Sequence, residues 1–497
     1  MKVVFLYSGS ENLGIESLSA YLKANGHETA LVFDPAHFRG NSGRDNPTLA
    51  GLFDPPREKI IRAVLKEEPD VLALSCVTGN YRWALDLTAE IKSRLKKPVP
   101  AVFGGFHPSM APERVISRPA VDALVIGEGE DALLELIRSV KDGEFTDTGV
   151  ANAWVKSEGN IHRNPVRPYI RDLDRLPFPD KKLFYRKVPF MRRGYMVMTA
   201  RGCPYNCTFC INATYHEIYR AEKTHIRRYS PGRIIEELKL ARENGPVDYI
   251  NIYDDIFTLD LKWIEEFLPV YRREIGLPFF CNIHPDHCDE NRVRLIKEAG
   301  CHTVRLGVQT LHDPTLKKTL HRGGLREKVA MALDNLRKYG IRAKVEYILG
   351  LPGDSPEIQS DAAAFYNEHR PTKVHSFWLI PFPGTKILAT AVQRGLITES
   401  EAEDFREADP RLNFTTFHYN PTSGAKYRAL NRFPLLFDLL TLLPKKTVAQ
   451  IIERKLYRHF PYSRTLHQLL FLLNALINND KEDIGSFLYI FVKKFTP

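Results

Sequence analysis

The stretch Arg201-Gly202-Cys203-Pro204-Tyr205-Asn206-Cys207-Thr208-Phe209-Cys210 places three cysteines in the spacing C-x3-C-x2-C. Three thiolates can hold three irons of a four-iron cluster and leave the fourth iron without a protein ligand. Clusters that only carry electrons are normally closed by four thiolates, so the open iron predicts a small-molecule ligand and chemistry at the cluster. Cys203, Cys207 and Cys210 are therefore the candidate metal ligands.

A zinc site is the alternative for this loop. Zinc knuckles usually take pairs of ligands from two separate places in the chain, and no second Cys/His pair of that kind follows. The four other cysteines are scattered, which is more typical of small buried hydrophobic residues than of a second cluster. They are left without a role and are Cys76, Cys281, Cys288 and Cys301.

The cysteine spacing, with the aromatic Phe209 before the last cysteine, resembles the signature of radical S-adenosylmethionine enzymes. The resemblance implies that the methionine moiety of S-adenosylmethionine chelates the fourth iron. It also implies that an electron from the 4Fe-4S cluster cleaves the sulfonium to a 5′-deoxyadenosyl radical. This chemistry implies an external electron donor for the cluster, such as flavodoxin or ferredoxin. The protein then supplies positioning and excludes side reactions.

Length and composition set the frame for the rest of the chain. With 497 residues and 43% hydrophobic residues, the chain predicts a globular protein of about two to four domains. Seven cysteines are too few for a disulfide scaffold, and an iron–sulfur site favours a reducing, anaerobic setting. The N-terminus runs directly into a strand pattern at Lys2–Tyr7 and shows no export signal, which predicts a cytoplasmic enzyme.

Residues 1–140 alternate between strand-like and helical patterns. Such alternation predicts a doubly wound, Rossmann-like (flavodoxin-like) parallel sheet, whose ligands bind at the carboxyl ends of the strands. The predicted strands are Val3–Leu6, Thr29–Phe33, Val71–Ser75, Ala101–Phe103 and Leu124–Ile126. Loops rich in glycine and polar residues follow four of these strands, at Ser8–Gly14, Ser75–Gly79, Gly104–Pro108 and Gly127–Glu130.

These four loops, followed by the cysteine loop, resemble the cobalamin-binding domain of cobalamin-dependent radical S-adenosylmethionine enzymes. Glycines let the backbone approach a large flat ligand, and hydroxyl groups can bond a nucleotide tail. The resemblance implies a set of cobalamin-binding residues. They are Asn12, Leu13, Gly14, Ser75, Thr78, Gly104, Gly105, His107, Gly127 and Glu128.

One departure from the better-known cobalamin pattern concerns the cobalt ligand. A D-x-H-x-x-G motif would put a histidine on cobalt in the loop after the first strand, and that loop has no histidine. Asp34, His37 and Gly40 are off by one residue and follow the second strand. We expect base-off cobalamin whose lower face meets Asn12, Leu13 or nearby backbone, and for His107 a structural role is the alternative to a ligand.

Residues 141–194 are polar and Pro-rich and predict a linker. From Tyr195 on, a second series of strands, each followed by a helical pattern, predicts a partial (β/α)6 barrel of the TIM type over residues 195–390. Catalytic residues of such barrels lie at the carboxyl ends of the strands. The predicted strands are Tyr195–Thr199, Tyr249–Tyr253, Phe279–His284, Thr303–Gly307, Lys344–Leu349 and Val374–Leu379.

The strand ends of this barrel hold the remaining candidate residues. Asp254 and Asp255 follow the second strand and are the candidate catalytic pair, because carboxylates can accept bonds from the methionine ammonium or from substrate. The alternative for this pair is a helix N-cap. The resemblance implies that S-adenosylmethionine contacts residues after the first, fourth and fifth strands. They are Phe209, Arg305, Gln309, Gly350, Pro352 and Gly353.

Residues 391–497 predict an all-α C-terminal domain. From Asn420 on, twelve Lys and Arg stand against five Asp and Glu, a large part of the net charge of +10 of the whole chain. One interpretation is a helical cap with a solvated charged face. The other is an interfacial helix that contacts anionic lipid on the inner face of the membrane. The basic residues alternate with leucines rather than forming a polar stripe, which disfavours nucleic-acid binding.

The resemblance implies an enzyme that uses the 4Fe-4S cluster, S-adenosylmethionine and cobalamin on a small-molecule substrate. The leading hypothesis is methylation of an unactivated carbon of an apolar or lipid-like substrate, with cobalamin as the methyl donor. A radical oxidative cyclase or C–C bond-forming enzyme resembling anaerobic Mg-protoporphyrin ester cyclase is the alternative reaction. A cobalamin-responsive sensor is the non-enzyme alternative.

Overall fold

The structure is a computed structural model that describes residues 1–36, 51, 54–409, 425–461, 463–478, 480 and 483–484. Nine strands lie in its first 163 residues. They are β1 (Lys2–Ser8), β2 (Glu28–Asp34), β3 (Val71–Ser75), β4 (Ala101–Gly104), β5 (Ala123–Val125), β6 (Val140–Lys141), β7 (Glu144–Phe145), β8 (Ala153–Ser157) and β9 (Asn160–Arg163).

Seven of these strands form one sheet in the order β2-β1-β3-β4-β5-β8-β9. The neighbours from β2 to β5 are parallel, which confirms the predicted Rossmann-like sheet. Both faces are covered, since Val3 and Phe5 belong to one hydrophobic core and Val4 and Leu6 to another. A strand buried on both faces needs a continuous apolar run, which is what β1 has.

Six of the helices that the structure describes cover this sheet. Asn12 caps the first helix, because its side chain accepts a hydrogen bond from the backbone N–H of Ile15 at 3.0 Å. The helices are α1 (Leu13–Ala24), α2 (Arg57–Glu67), α3 (Thr78–Arg94), α4 (Phe106–Met110), α5 (Pro112–Ile116) and α6 (Glu130–Arg138).

The segment predicted as a linker, residues 141–194, is partly sheet. Strand β8 pairs antiparallel with β5, and β9 pairs antiparallel with β8. Ala153 and Val155 are buried in the core of the N-terminal sheet. The sequence interpretation overlooked this hairpin because its strands are short and one face is polar, which gives a weak periodic signal.

The second half of the chain is built on a six-stranded parallel sheet in the order β10-β13-β14-β15-β16-β17. All six predicted barrel strands are present, and a short antiparallel pair, β11 and β12, lies beside them. The strands are β10 (Gly194–Val197), β11 (Ala200–Arg201), β12 (Arg227–Arg228), β13 (Tyr249–Ile252), β14 (Phe279–Ile283), β15 (Cys301–Gln309), β16 (Arg342–Leu349) and β17 (Lys373–Trp378).

Helices follow these strands and continue beyond the sheet. A π-helical turn, Leu316–Leu320, continues helix α12. The helices are α7 (Lys182–Tyr185), α8 (Ile211–Ile218), α9 (Pro231–Glu243), α10 (Leu261–Glu274), α11 (Glu290–Glu298), α12 (Asp313–Thr315), α13 (Arg326–Lys338), α14 (Pro356–His369), α15 (Lys386–Gln393), α16 (Glu399–Arg406), α17 (Phe433–Leu442), α18 (Lys445–Glu453) and α19 (Arg464–Ile477).

The described part of the C-terminal region is helical, as predicted, and α17 packs on the barrel. Phe433, Phe437 and Leu440 of α17 are fully buried, and the ring centroids of Phe437 and Tyr347 of β16 lie 5.4 Å apart. This packing agrees with the helical-cap interpretation for α17. None of the helices that the structure describes has the length and apolar character needed to cross a bilayer.

Candidate active site between the two sheets

A cavity of about 530 Å³ lies between the carboxyl ends of the two parallel sheets. The N-terminal sheet contributes its strand-end loops, and the barrel contributes the loop after β10 and the start of α8. All predicted cobalamin residues except Thr78 and His107 line it: Asn12, Leu13, Gly14, Ser75, Gly104, Gly105, Gly127 and Glu128. Loops that are far apart in sequence therefore share one wall.

His107 and Thr78 do not line the cavity. His107 is fully buried behind the loop, its Nδ1 is 3.2 Å from Thr78 Oγ1, and its ring stacks on Tyr81 with centroids 4.1 Å apart. Burial lowers the pKa of His107 to about 3, so its imidazole is neutral. This environment agrees with the structural role that is the alternative for His107, and cobalamin binding by Thr78 and His107 stays a prediction. His37 and Gly40 lie outside the described residues.

Two glycines of the strand-end loops have different structural roles. Gly127 has φ +78°, and a Cβ there would lie 2.0 Å from the hydroxyl of Tyr219. It therefore makes room for a barrel side chain rather than for a ligand. At Gly104 a Cβ would meet only Val125, at 3.9 Å, so this glycine leaves open space on the cavity wall.

Glu128 and Glu130 connect the N-terminal sheet to the loop that holds the cysteines. Glu128 Oε1 accepts from Arg201 at 2.9 Å and from Arg227 at 2.7 Å, and Glu130 pairs with Arg201 at 2.7 Å. Burial raises the pKa of Glu128, but Arg201 and Arg227 outweigh it and hold this pKa below its usual range. We call Glu128, Glu130, Arg201 and Arg227 the interdomain clamp. Arg201 was not among the predicted site residues, although it lies two positions before Cys203.

The cysteine loop is anchored on both sides. Gly202 has φ +92°, and a Cβ there would lie 1.8 Å from the carbonyl oxygen of His225, so only glycine fits. The hydroxyl of Thr208 donates to the carbonyl of Thr319 in the π-helical turn at 2.7 Å. His216 Nε2 lies 2.8 Å from the carbonyl oxygen of Cys203. The loop is therefore held before any cluster binds.

Burial disfavours free thiolates in this loop. It raises the pKa of Cys203 to about 12 and that of Cys210 to about 11. Positive charge must therefore stabilise the thiolates, and Arg322 supplies one donor, with Nη1 3.3 Å from Cys207 Sγ and Nη2 2.6 Å from the carbonyl of Gly307. Arg322 was not among the predicted residues.

Over the described ranges, no three His, Cys, Asp or Glu side chains converge closely enough to coordinate one metal ion. The thiolates of an iron–sulfur cluster each bind a different iron, so Cys203, Cys207 and Cys210 need not converge on one point.

The predicted catalytic pair is divided by the structure. Asp254 is buried behind the β10 strand end, where it accepts from the backbone N–H groups of Thr199 at 2.5 Å and Ala200 at 3.2 Å. This carboxylate therefore shapes the loop and does not face the cavity. Asp255 lines the cavity. Burial raises the pKa of Asp255, although Asn212 and His216 oppose the shift.

The predicted S-adenosylmethionine residues are not among those that line the cavity; they lie in the cysteine loop and at the ends of β15 and β16. Arg305 lies 5.2 Å over the ring of Tyr253, which lines the cavity, and its Nη1 is 3.3 Å from Asn282 Oδ1. Gln309 has φ +72° at the end of β15. Phe209 packs against Leu316, Leu320, Ile348, Leu351 and Ile387.

The Gly350-Leu351-Pro352-Gly353-Asp354 turn ends β16. Gly350 has φ +76°, and its backbone N–H donates to Asp354 Oδ2 at 2.8 Å. Burial raises the pKa of Asp354 to about 6, and bonds from Gln359, Gly350 and Ser355 oppose a larger shift. The turn is thus fixed by its own carboxylate, which leaves Pro352 and Gly353 at the strand end.

Two family models match this architecture. The B12 binding domain matches residues 6–137, and the Radical SAM superfamily matches residues 197–364. The chain belongs to the cobalamin-dependent radical SAM family. It is an enzyme of that family, and its cofactors are cobalamin, S-adenosylmethionine and a 4Fe-4S cluster.

Relatives of this radical SAM enzyme include an uncharacterized methyltransferase of Pyrococcus horikoshii, 26% identical over 419 residues that cover 83% of this chain and 86% of the relative. The anaerobic magnesium-protoporphyrin IX monomethyl ester cyclase of Rubrivivax gelatinosus is 24% identical over 498 residues, covering 96% and 82%. The structure of OxsB with aqua-cobalamin and S-adenosylmethionine bound matches with a TM-score of 0.66, 18% identity and coverage of 99% and 75%. At this identity the structural match establishes the fold.

The described residues fit these cofactors. The open space at Gly104 lies on the cavity wall that the strand-end loops form, as a flat macrocycle requires. Three cysteines without a fourth thiol partner, one of them accepting a bond from Arg322, suit a cluster with one open iron.

Proposed function

We propose that this enzyme methylates an unactivated carbon of its substrate. The observation that carries the proposal is that both halves of the chain line the same cavity. Its walls include Gly104 of the N-terminal sheet and both Gly202 and Asp255 of the barrel. When bound, the cluster with S-adenosylmethionine supplies a radical that removes hydrogen, and cobalamin supplies a methyl group. A substrate in this one chamber would face both.

The residues of the chain have separate tasks in this proposal. Cys203, Cys207 and Cys210 hold the cluster, and Asp255 accepts hydrogen bonds from the methionine ammonium or from substrate across the cavity. Asp254 positions the loop that precedes the cysteines by holding two backbone N–H groups. The contacts to S-adenosylmethionine come from Phe209, Arg305, Gln309, Gly350, Pro352 and Gly353.

The loop after β1 would meet the lower face of the corrin. It contains no histidine, and Asn12 and Leu13 line the cavity there. Asn12 is already engaged as the cap of α1. We infer that cobalamin binds without a protein nitrogen on cobalt from this loop.

The test uses the reconstituted, cobalamin-loaded enzyme with methyl-labelled S-adenosylmethionine and a flavodoxin reducing system. We expect the labelled methyl group on the corrin, together with formation of unlabelled S-adenosylhomocysteine and 5′-deoxyadenosine. The variant Cys203→Ala/Cys207→Ala/Cys210→Ala should lose 5′-deoxyadenosine and the iron while still binding cobalamin, because the cobalamin loops are elsewhere. Formation of 5′-deoxyadenosine with no S-adenosylhomocysteine would contradict methyl transfer.

That last outcome would favour radical oxidative cyclisation. The observation behind this second candidate is the similarity to the Rubrivivax gelatinosus cyclase, which covers 96% of this chain, including part of the C-terminal region. In a cyclase the radical product would be oxidised rather than methylated. Adding the Mg-protoporphyrin ester to the same assay separates the two reactions by the mass of the product.

We further propose that the substrate is apolar or lipid-like and that α19 contacts the membrane surface. Four apolar side chains of α19 are exposed at helical spacing, namely Leu469 (59%), Leu473 (46%), Leu476 (55%) and Ile477 (65%). From Asn420 on the chain also has an excess of seven positive charges. Each basic residue near an anionic surface contributes about 1 kcal/mol.

Co-sedimentation with anionic vesicles tests this contact. We expect the wild type to pellet at low salt and less at high salt, and Leu469→Ser/Leu473→Ser/Ile477→Ser to pellet little. Met331→Ser, which removes an apolar side chain 55% exposed on α13, is the control and should behave as the wild type. Equal, negligible pelleting of wild type and variants would exclude the contact.

A further inference from the structure

Glu11 presents a carboxylate to the cavity from the loop after β1. The residue is 9% exposed and lines the cavity wall. Lys181 Nζ donates to Glu11 Oε1 at 2.7 Å, and the hydroxyl of Tyr185 donates to the same oxygen at 3.3 Å. Because both donors use one oxygen, Oε2 is left for a donor in the cavity.

A buried lysine holds this carboxylate in place. Lys181 also pairs with Glu16 at 2.8 Å, and its ammonium lies 4.8 Å over the ring of Tyr195. Burial lowers the pKa of Lys181, but Glu11 and Glu16 outweigh it and raise this pKa above its usual range. Lys181 therefore stays charged, and Glu11 is a fixed anionic acceptor rather than a mobile surface group.

The rest of the cavity wall is also rich in carboxylates. Five acidic residues line it, and the two lining arginines are already paired within the interdomain clamp. Glu237 accepts from the hydroxyl of Tyr195 at 3.0 Å and from Arg233 at 3.3 Å. The five are Glu11, Glu128, Glu130, Glu237 and Asp255. A neutral hydrogen-bond donor suits this wall, whereas a further anion does not.

We infer that Glu11 selects the amidated form of the corrin by accepting a hydrogen bond from one of its peripheral primary amides. A corrin with a carboxylate at that position would place two anions together at the cavity wall, and specificity for the amide would follow from this repulsion. The inference rests on cobalamin binding and holds whichever reaction the enzyme catalyses.

The test measures binding of aquacobalamin and of its separated monocarboxylic acid derivatives, each with one primary amide hydrolysed, to the full-length reconstituted protein by equilibrium dialysis. For the wild type at pH 8 we expect at least one derivative to bind about tenfold or more weakly than aquacobalamin. Glu11→Gln should remove that penalty, because the glutamine amide can donate to the carboxylate of the derivative.

Two further variants sharpen the comparison. Glu135→Gln removes a carboxylate that lies outside the cavity wall and pairs with Arg167, and should keep the discrimination of the wild type. Glu11→Asp keeps the charge but shortens the side chain, and should reduce the discrimination. The inference is wrong if the wild type binds every derivative as tightly as aquacobalamin. It is equally wrong if Glu11→Gln and Glu11→Asp keep the full penalty.

Discussion

At the scale of single residues, Asp254 and Asp255 show how neighbours in sequence take different roles. They follow an extended strand, where successive side chains point to opposite sides. Asp254 turns inward and receives backbone N–H groups of Thr199 and Ala200, whereas Asp255 faces the cavity. The sequence indicates that a carboxylate pair ends the strand, but only the three-dimensional position of the β10 loop separates them.

Arg322 gives the first prediction. Replacing it by glutamine removes a positive charge and the N–H donated to Cys207 Sγ at 3.3 Å. Donors and positive charge near a cluster favour its reduced form. We expect Arg322→Gln to shift the cluster potential negatively by on the order of 60 mV, the equivalent of a tenfold change for a one-electron couple. A redox titration followed by electron paramagnetic resonance measures the shift.

Arg326→Gln is the matched control for this prediction. Arg326 is four residues away and pairs with Asp361 at the surface. The same charge is therefore lost without any change in the donors to the cysteines. An unchanged potential in Arg322→Gln with full cluster content would show that Arg322 does not act on the cluster.

His107 gives a pH prediction. Its folded pKa of about 3 lies below the ordinary value of about 6.5, so protonation favours the unfolded chain. The stabilisation is complete above pH 6.5 and is lost as pH falls towards 3. The difference in the free energy of unfolding between wild type and His107→Gln should decrease by about 2 kcal/mol as the pH falls from 7 to 5.

Urea titrations followed by tryptophan fluorescence measure that difference. His162→Gln is the control, because His162 lies exposed on β9. The difference in the free energy of unfolding between wild type and His107→Gln is compared with that between wild type and His162→Gln at each pH. A constant difference for His107→Gln would mean that the imidazole is not held neutral by burial.

At the scale of elements, the interdomain clamp ties the loop between β5 and α6 to the cysteine loop. Glu128→Gln weakens the hydrogen bonds that this side chain accepts from Arg201 and Arg227. Breaking a buried ion pair lowers the free energy of unfolding by about 3 kcal/mol or more. We therefore expect a lower thermal midpoint and weaker cobalamin retention on gel filtration, with iron content unchanged.

Glu135→Gln is the control for the clamp. It lies on α6, the helix that follows the clamp loop, and pairs with Arg167 at the surface, where an ion pair contributes less than about 1 kcal/mol. A Glu128→Gln protein with the wild-type midpoint and cobalamin retention would mean that the clamp does not hold the two halves together.

The elements also show what sequence could predict. Apolar runs alternating with helical patterns were sufficient to predict five strands of the first sheet and six of the second, because the burial of each strand leaves a local pattern in the sequence. The interdomain clamp joins Glu128 to Arg201 and Arg227, and the Gly127–Tyr219 contact spans a similar distance in the chain. Such contacts depend on how two sheets meet, and no local pattern encodes them.

At the scale of the whole molecule, the C-terminal residues complete the barrel. Lys344 of β16 and Lys373 of β17 are each 4% exposed, and they pair with Asp480 at 2.6 Å and Asp483 at 3.0 Å, respectively. Residues more than one hundred positions later thus supply the counter-charges of two strands. A buried charge without a partner is costly.

Ending the chain after residue 461 should therefore lower the thermal midpoint. Lys344→Met/Lys373→Met in the shortened chain should restore much of the loss, because apolar side chains of similar length need no partner. The same double substitution in the full-length chain is the control and should destabilise it, since Asp480 and Asp483 would then lose their lysine partners. If the double substitution does not restore the thermal midpoint, the loss of helix packing, and not the loss of the counter-charges, causes the destabilisation.

The β8–β9 hairpin has a consequence for dividing the protein. A fragment that stops at residue 140 would expose β5, whose central position leaves a row of unpaired backbone groups and an apolar surface once covered by Ala153 and Val155. Uncovered edges of this kind pair with other chains. The smallest piece of the N-terminal sheet that stays monomeric at high concentration should therefore extend through Arg163, and a cut at residue 140 should yield aggregates.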